Sequence, residues 1–161
     1  MTDGEPDGLA RVRAAAAARG LEIEIRARPV AETLEGAAEI LGLRPRDIVK
    51  TLVVKRRDDT YLFALVPGDR AISWPKLRAV VGVNKLRLPE PDLALNATGF
   101  ARGTIVPIGS TTDWPIVADT TILGRHVAMG AGAHGYSLFV DADALVAAYG
   151  ATVADITTEL P

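Results

Sequence analysis

The alternation of apolar and polar positions is clearest in DIVKTLVVKRR, Asp47 to Arg57. Side chains on a strand alternate between its two faces. Ile48, Lys50, Leu52 and Val54 therefore share one face, and Val49, Thr51, Val53 and Lys55 the other. Both faces are rich in aliphatic residues, as in a strand covered on both sides. TYLFALV, from Thr60 to Val66, has the same character, and the Asp58-Asp59 turn between the two runs predicts a hairpin. Lys50 is placed among aliphatic neighbours, where an ammonium is costly unless something pairs with it.

Elsewhere the apolar spacing is helical. GLARVRAAAAARG predicts an Ala-rich helix ending near Gly20, followed by a short strand at Leu21 to Ile25. ETLEGAAEILGL predicts a second helix, with Thr33 as N-cap, an apolar stripe of Leu34, Ala37, Ala38 and Leu41, and Gly42 at its end. PGDR breaks the second hairpin strand, and SWPKLRAVVG predicts a helix capped by Ser73, with Pro75 in its first turn and Gly82 as its stop. KLRL is a short strand before the Pro-rich PEPDLALNATG. GTIVPI, PIVAD, HVAMG and YSLFV are further strands, and DADALVAAYG a closing helix with Asp141 as N-cap. Neighbouring strands with helices grouped before and after them predict an α+β domain. Its curved mixed or antiparallel β-sheet is expected to be barrel-like and flanked by helices. Residues 1–8, acidic and rich in Gly and Pro, read as a flexible tail, and residues 9–161 as one domain.

Composition narrows the chemistry. With no cysteine there are no disulfides, thiolate nucleophiles or Cys-ligated metals, and with only two histidines, His126 and His134, a multi-histidine metal site is not expected. No G-x-S-x-G elbow is present, so a hydrolase built on this chain would rely on activated water and electrostatic stabilisation. No cofactor is implied. No apolar run nears the roughly 18 residues needed to span a bilayer, and the N-terminus lacks a signal pattern, so a cytoplasmic protein without a membrane partner is expected. Net charge is −2, but from Arg44 to Arg102 there are 12 Lys and Arg against 6 Asp and Glu, whereas from Gly103 onward one Arg faces six acids. Such asymmetry suits ordinary surface charge or a basic face for a phosphate-bearing ligand.

The second stretch with chemical potential is TGFARGTIVPIG, Thr98 to Gly109. Its spaced glycines allow a turn of positive φ whose exposed N–H groups can bind an anion or a developing oxyanion. It is neither a Walker loop nor a dinucleotide fingerprint, and by itself it reads better as a structural turn. Asp69 and Arg70 by themselves are turn residues, and His134 a loop histidine.

In combination, AAEILGL, IVKTLVV, VPGDR, KLRLPEP, TGFARGTIVPIG, PIVADTTI and ALVAAYGATVADI occur in the order of the YbaK/ProX family. The chain resembles these trans-editing aminoacyl-tRNA deacylases, relatives of the editing domain inserted in bacterial prolyl-tRNA synthetases, over about residues 20 to 157. The resemblance implies a YbaK-like domain that hydrolyses the ester of a mischarged tRNA, one carrying a small amino acid such as Ala or Cys on tRNA(Pro) or a similar tRNA. It implies the acceptor end of aminoacyl-tRNA as partner, and an aminoacyl-tRNA synthetase as a second. Lys50, Gly99 and Gly103 match catalytic positions, and Thr98, Arg102, Pro107, Asp69, Arg70 and His134 stand as substrate contacts. Two positions depart from the family pattern: RARPVAET replaces an aromatic or His-rich stretch, and Ala144 an acid. An auxiliary contact would then come from elsewhere, with Asp69 and Asp113 as candidates. Lys55, Arg56 and Arg57 read as solvated charge with at most a phosphate-steering role. The alternative reading is a non-catalytic tRNA- or synthetase-binding module of the same fold, and a third is a binder of a small acidic metabolite.

Overall fold

A computed structural model describes residues 6–161. The expected tail lies outside the described residues as far as residue 5, and Asp7 and Gly8 belong to the first helix, α1 (Asp7–Ala18). Leu9, Val12 and Ala16 form its buried stripe. The chain then turns through Gly20, and the first strand, β1 (Glu24–Ala27), starts three residues later than expected because Leu21 is drawn into the core and its N–H returns to the Ala16 carbonyl.

Three further helices follow their sequence signals. α2 (Leu34–Leu41) is capped by Thr33 Oγ1, which accepts from Gly36 N–H at 2.9 Å. α3 (Trp74–Val81) is capped by Ser73 Oγ, which accepts from Lys76 N–H at 3.3 Å. The fifth helix, α5 (Ala142–Tyr149), is capped by Asp141, which accepts from Ala144 N–H at 2.9 Å. The Pro-rich stretch instead supplies α4 (Pro91–Thr98). Pro91 stands at its first turn, where the missing N–H has no helical acceptor to lose, and Ala94, Ala97 and Thr98 are buried.

β2 (Val49–Lys55) and β3 (Tyr61–Pro67) form the expected antiparallel hairpin, in register from Val49–Pro67 to Lys55–Tyr61. Asp58 and Asp59 adopt φ of 57° and 56° in its turn, as two-residue hairpin loops require. All seven residues of β3 are buried. Alternation along the hairpin divides the interior in two. Val49, Val53, Phe63 and Leu65 join the larger core with α1 and α5, while Leu52, Val54, Leu62 and Ala64 join a smaller core around Leu77 and Ile156.

β3 pairs in parallel with β5 (Ile116–Asp119), and β5 with β8 (Thr152–Ala154). β6 (His126–Gly130) and β7 (Tyr136–Asp141) form an antiparallel sheet with β1. A single parallel bridge, Ile48 to Ala128, joins this sheet to the edge of β2. The result is the expected curved mixed sheet, but it does not close into a barrel. Its outer strands β1 and β8 have four and three residues and do not pair with each other. β4 (Arg70–Ile72) and β9 (Thr157–Glu159) form a separate ribbon. KLRL contributes only a bridge between Arg87 and Lys55. GTIVPI is an irregular loop whose Val106, Pro107 and Ile108 are nevertheless buried. β8 and β9, three residues each, are too short to leave a periodic signal.

Candidate active site

From the Ile48–Ala128 bridge, β2 and β6 are not joined further, and a cavity of about 560 Å³ lies between them. Its walls are Ile48 to Val53 of β2, Ala128 to Gly130 of β6, Leu88, Pro89, Pro91 and Ala94 leading into α4, and Arg102, Gly103 and Ile105 of the glycine loop. Lys55 exchanges both backbone hydrogen bonds with Arg87, at 2.7 and 3.3 Å. The odd-numbered residues of β2 therefore turn their backbone groups away from β3. This directs the N–H and C=O of Thr51 and Val53 along the open edge that borders the cavity. Thr51 Oγ1 is buried and has no hydrogen-bond partner.

Among the described residues three cations line the cavity, Arg28, Lys50 and Arg102, and no carboxylate does. The Arg28 guanidinium is anchored, its Nε donating to Ser137 Oγ at 2.7 Å and Nη1 to the Pro29 carbonyl at 3.0 Å. Lys50 is half-buried on the face it shares with Leu52 and Val54, and Arg102 is exposed at the rim. Positive charge in a partly desolvated recess without a counter-charge favours a ligand that is anionic or develops negative charge. Nothing in this arrangement holds a metal: among the described residues no group of three or more His, Asp or Glu is placed to bind one. No described helix is long and apolar enough to cross a membrane.

The glycine loop is positioned by Arg11 of α1, a residue without any sequence signal. Its guanidinium donates to the carbonyls of Thr98 (2.9 Å), Gly99 (3.0 Å) and Gly109 (2.9 and 3.2 Å), and lies 4.3 Å from the Phe100 ring centroid. Gly99 ends α4 at φ 77°, where a Cβ would stand 2.6 Å from the Arg11 guanidinium. Gly103, at φ 86°, has space around it: a Cβ there would meet nothing nearer than His134 Cε1 at 3.6 Å. Thr98 Oγ1 accepts from Phe100 N–H and donates to the Ala94 carbonyl, and Thr104 N–H donates to Ala101 O. Neither the Arg102 nor the Gly103 N–H has a protein acceptor among the described residues, and both residues border the cavity.

Lys50, Arg102 and Gly103 thus meet at one cavity, with His134 beside Gly103. Gly99, Thr98 and Pro107 do not line the cavity, and Thr98 and Pro107 are buried. Arg70 is elsewhere: its Nε donates to Thr157 Oγ1 at 2.6 Å, locking β4 to β9. Asp69 is exposed in the turn before β4, and Asp113 pairs with Arg19 at 2.9 Å. None of these three lines the cavity. Within RARPVAET, Arg28 is the residue that lines the cavity.

Against known proteins, the aminoacyl-tRNA editing domain family matches residues 28–148. The chain belongs to this family. The editing domain is 38% identical over 120 residues to a proline–tRNA ligase of Shouchella clausii, covering 74% of this chain and 21% of the ligase. It is 40% identical over 82 residues to that of Thermosipho africanus, covering 51% of this chain and 14% of the ligase. The editing domain therefore spans only a minor part of these ligases. A solved structure described as a candidate trans-editing enzyme for prolyl tRNA synthetase superposes with a TM-score of 0.88 at 28% identity, covering 96% of this chain and 99% of that one.

Proposed function

We propose that this editing domain hydrolyses the ester bond between a small misattached amino acid, such as Ala or Cys, and the terminal ribose of tRNA(Pro) or a similar tRNA. The observation that carries the reading is the acid-free cavity in which unpaired Lys50 stands with the free N–H groups of Arg102 and Gly103. Water attacks the ester carbonyl carbon, the carbonyl oxygen gains charge, and the C–O bond to the ribose breaks. One proton of the water passes to the departing ribose oxygen and the other is released to solvent, so the amino acid departs as its carboxylate. Lys50 holds the terminal nucleotide or the reactive end, and the loop N–H groups stabilise the oxyanion, each such donor being worth about 3–4 kcal/mol. Among the described residues no carboxylate lines the cavity to act as base, so a ribose hydroxyl of the substrate orients the water. An aminoacyl ester is already activated, and positioning supplies much of the remaining acceleration.

The test is a panel of tRNAs charged with Ala, Cys, Ser and Pro, incubated with the purified protein. Hydrolysis of at least one of the first three, with the Pro ester spared tenfold or more, is expected, since pocket fit discriminates small side chains by about 10–200-fold. Binding of tRNA without turnover on any member would replace this reading with that of a non-catalytic binding module.

A further inference from the structure

At the far end of β2 the surface forms a second depression of about 410 Å³, lined by six cations: Lys55, Arg56, Arg57, Arg78, Lys85 and Arg87. No acid among the described residues lines it, although it takes six of the 18 Lys and Arg in the chain. Among the described residues only Lys55 has a carboxylate partner, Asp59 of the hairpin turn at 3.3 Å. Three separate parts of the fold bring these charges together. Lys55 to Arg57 end β2, Arg78 lies in the last turn of α3, and Lys85 and Arg87 follow that helix. The paired backbone hydrogen bonds between Lys55 and Arg87 hold the two walls at fixed separation. Six like charges with a single carboxylate partner among them repel one another, an arrangement that a polyanion relieves.

The groove and the cavity are built on the same two chain segments, though strand alternation turns the Lys50 and Lys55 side chains to opposite faces of β2. β2 supplies Lys50 to one and Lys55 to the other, roughly 17 Å apart along a strand, and the segment carrying Arg87 into the groove carries Leu88 and Pro89 into the cavity wall. That distance corresponds to a few nucleotides of extended strand. We propose that this groove binds the phosphate backbone of the RNA whose terminal ribose carries the ester, a few nucleotides from the reacting end. The inference rests on the editing reading and adds a division of labour: the groove supplies affinity, and the cavity supplies chemistry.

The triple variant Arg57→Glu, Lys85→Glu, Arg87→Glu, all at exposed positions, tests it against two substrates, aminoacyl-tRNA and the same amino acid esterified to adenosine without phosphates. For the tRNA, kcat/KM should fall tenfold or more, through KM, and its dependence on salt should flatten, with the log-log slope smaller by about two for three lost contacts. Hydrolysis of the adenosine ester should be unchanged. An unchanged KM for the tRNA, or equal losses on both substrates, would overturn the proposal. Should the unaltered protein hydrolyse neither ester, the editing reading fails, and the groove is then judged by binding of a labelled RNA oligonucleotide. Tenfold weaker binding by the triple variant supports it, and equal binding refutes it, as expected if the charges serve an acidic protein surface instead.

Discussion

Gly99 and Gly103 stand four residues apart in one loop, yet they answer to different demands. Both have positive φ, so alanine at either costs about 1–2 kcal/mol in backbone strain. At Gly99 the new Cβ also collides with the Arg11 guanidinium and endangers its bonds to three carbonyls, and a charge-assisted hydrogen bond is worth about 1.5–3 kcal/mol. At Gly103 there is room, but a shift of the peptide moves an N–H that has no protein acceptor among the described residues, in a residue that lines the cavity. Urea unfolding and turnover should therefore rank the two variants oppositely. Gly99→Ala should lose at least ~1 kcal/mol more stability than Gly103→Ala, and Gly103→Ala should lose more in kcat, on the order of 100-fold. A single ordering on both measures would show that the loop acts only as a scaffold. At this scale Lys50 was legible because strand alternation isolates one charge among aliphatic residues. Arg11 was not, because its partners are backbone carbonyls 87 to 98 residues away, which no side-chain pattern records. Arg70 misled for the related reason that a turn arginine looks the same whether it faces a ligand or Thr157.

At the scale of elements, the hairpin and three capped helices were legible from local chemistry, since each cap binds within three residues of itself. α4 was hidden because its prolines resemble a break until one of them is placed at the first turn. β8, β9 and β4 were hidden because three-residue strands exist through their partners. The contact that assembles them is buried Asp119, at the end of β5. One of its oxygens accepts from Ile156 N–H and Thr157 Oγ1, both at 3.0 Å, and the other from Thr121 N–H at 3.2 Å and from Thr121 Oγ1. Thr157 Oγ1 in turn accepts from Arg70. Asp119→Ala leaves several buried donors without acceptors, at about 1–3 kcal/mol each. A destabilisation of roughly 3 kcal/mol or more is expected from chemical denaturation. A loss below about 1 kcal/mol would show that water replaces the carboxylate and that the ribbon is held by other contacts.

Across the whole molecule, the basic run between Arg44 and Arg102 proves to be two surfaces and several unrelated contacts. Lys50 and Arg102 face the cavity, six cations line the groove beyond it, and Arg70 and Lys76 bind the β9 segment and Asp155. The charge count was visible in the sequence, but its division was not, because it depends on where β2 separates from β6. The two cores lie on either side of the β2–β3 hairpin, and the cavity lies where β2, the edge strand of its four-stranded sheet, meets β6 through a single bridge. The account rests centrally on Lys50 acting in that opening. The most direct measurement is single-turnover deacylation of the preferred mischarged tRNA by Lys50→Ala, with circular dichroism to verify folding. A native spectrum and a rate lower by about 10²–10³-fold are expected; a folded variant that deacylates at the rate of the unaltered protein would contradict a role for Lys50 in the reaction.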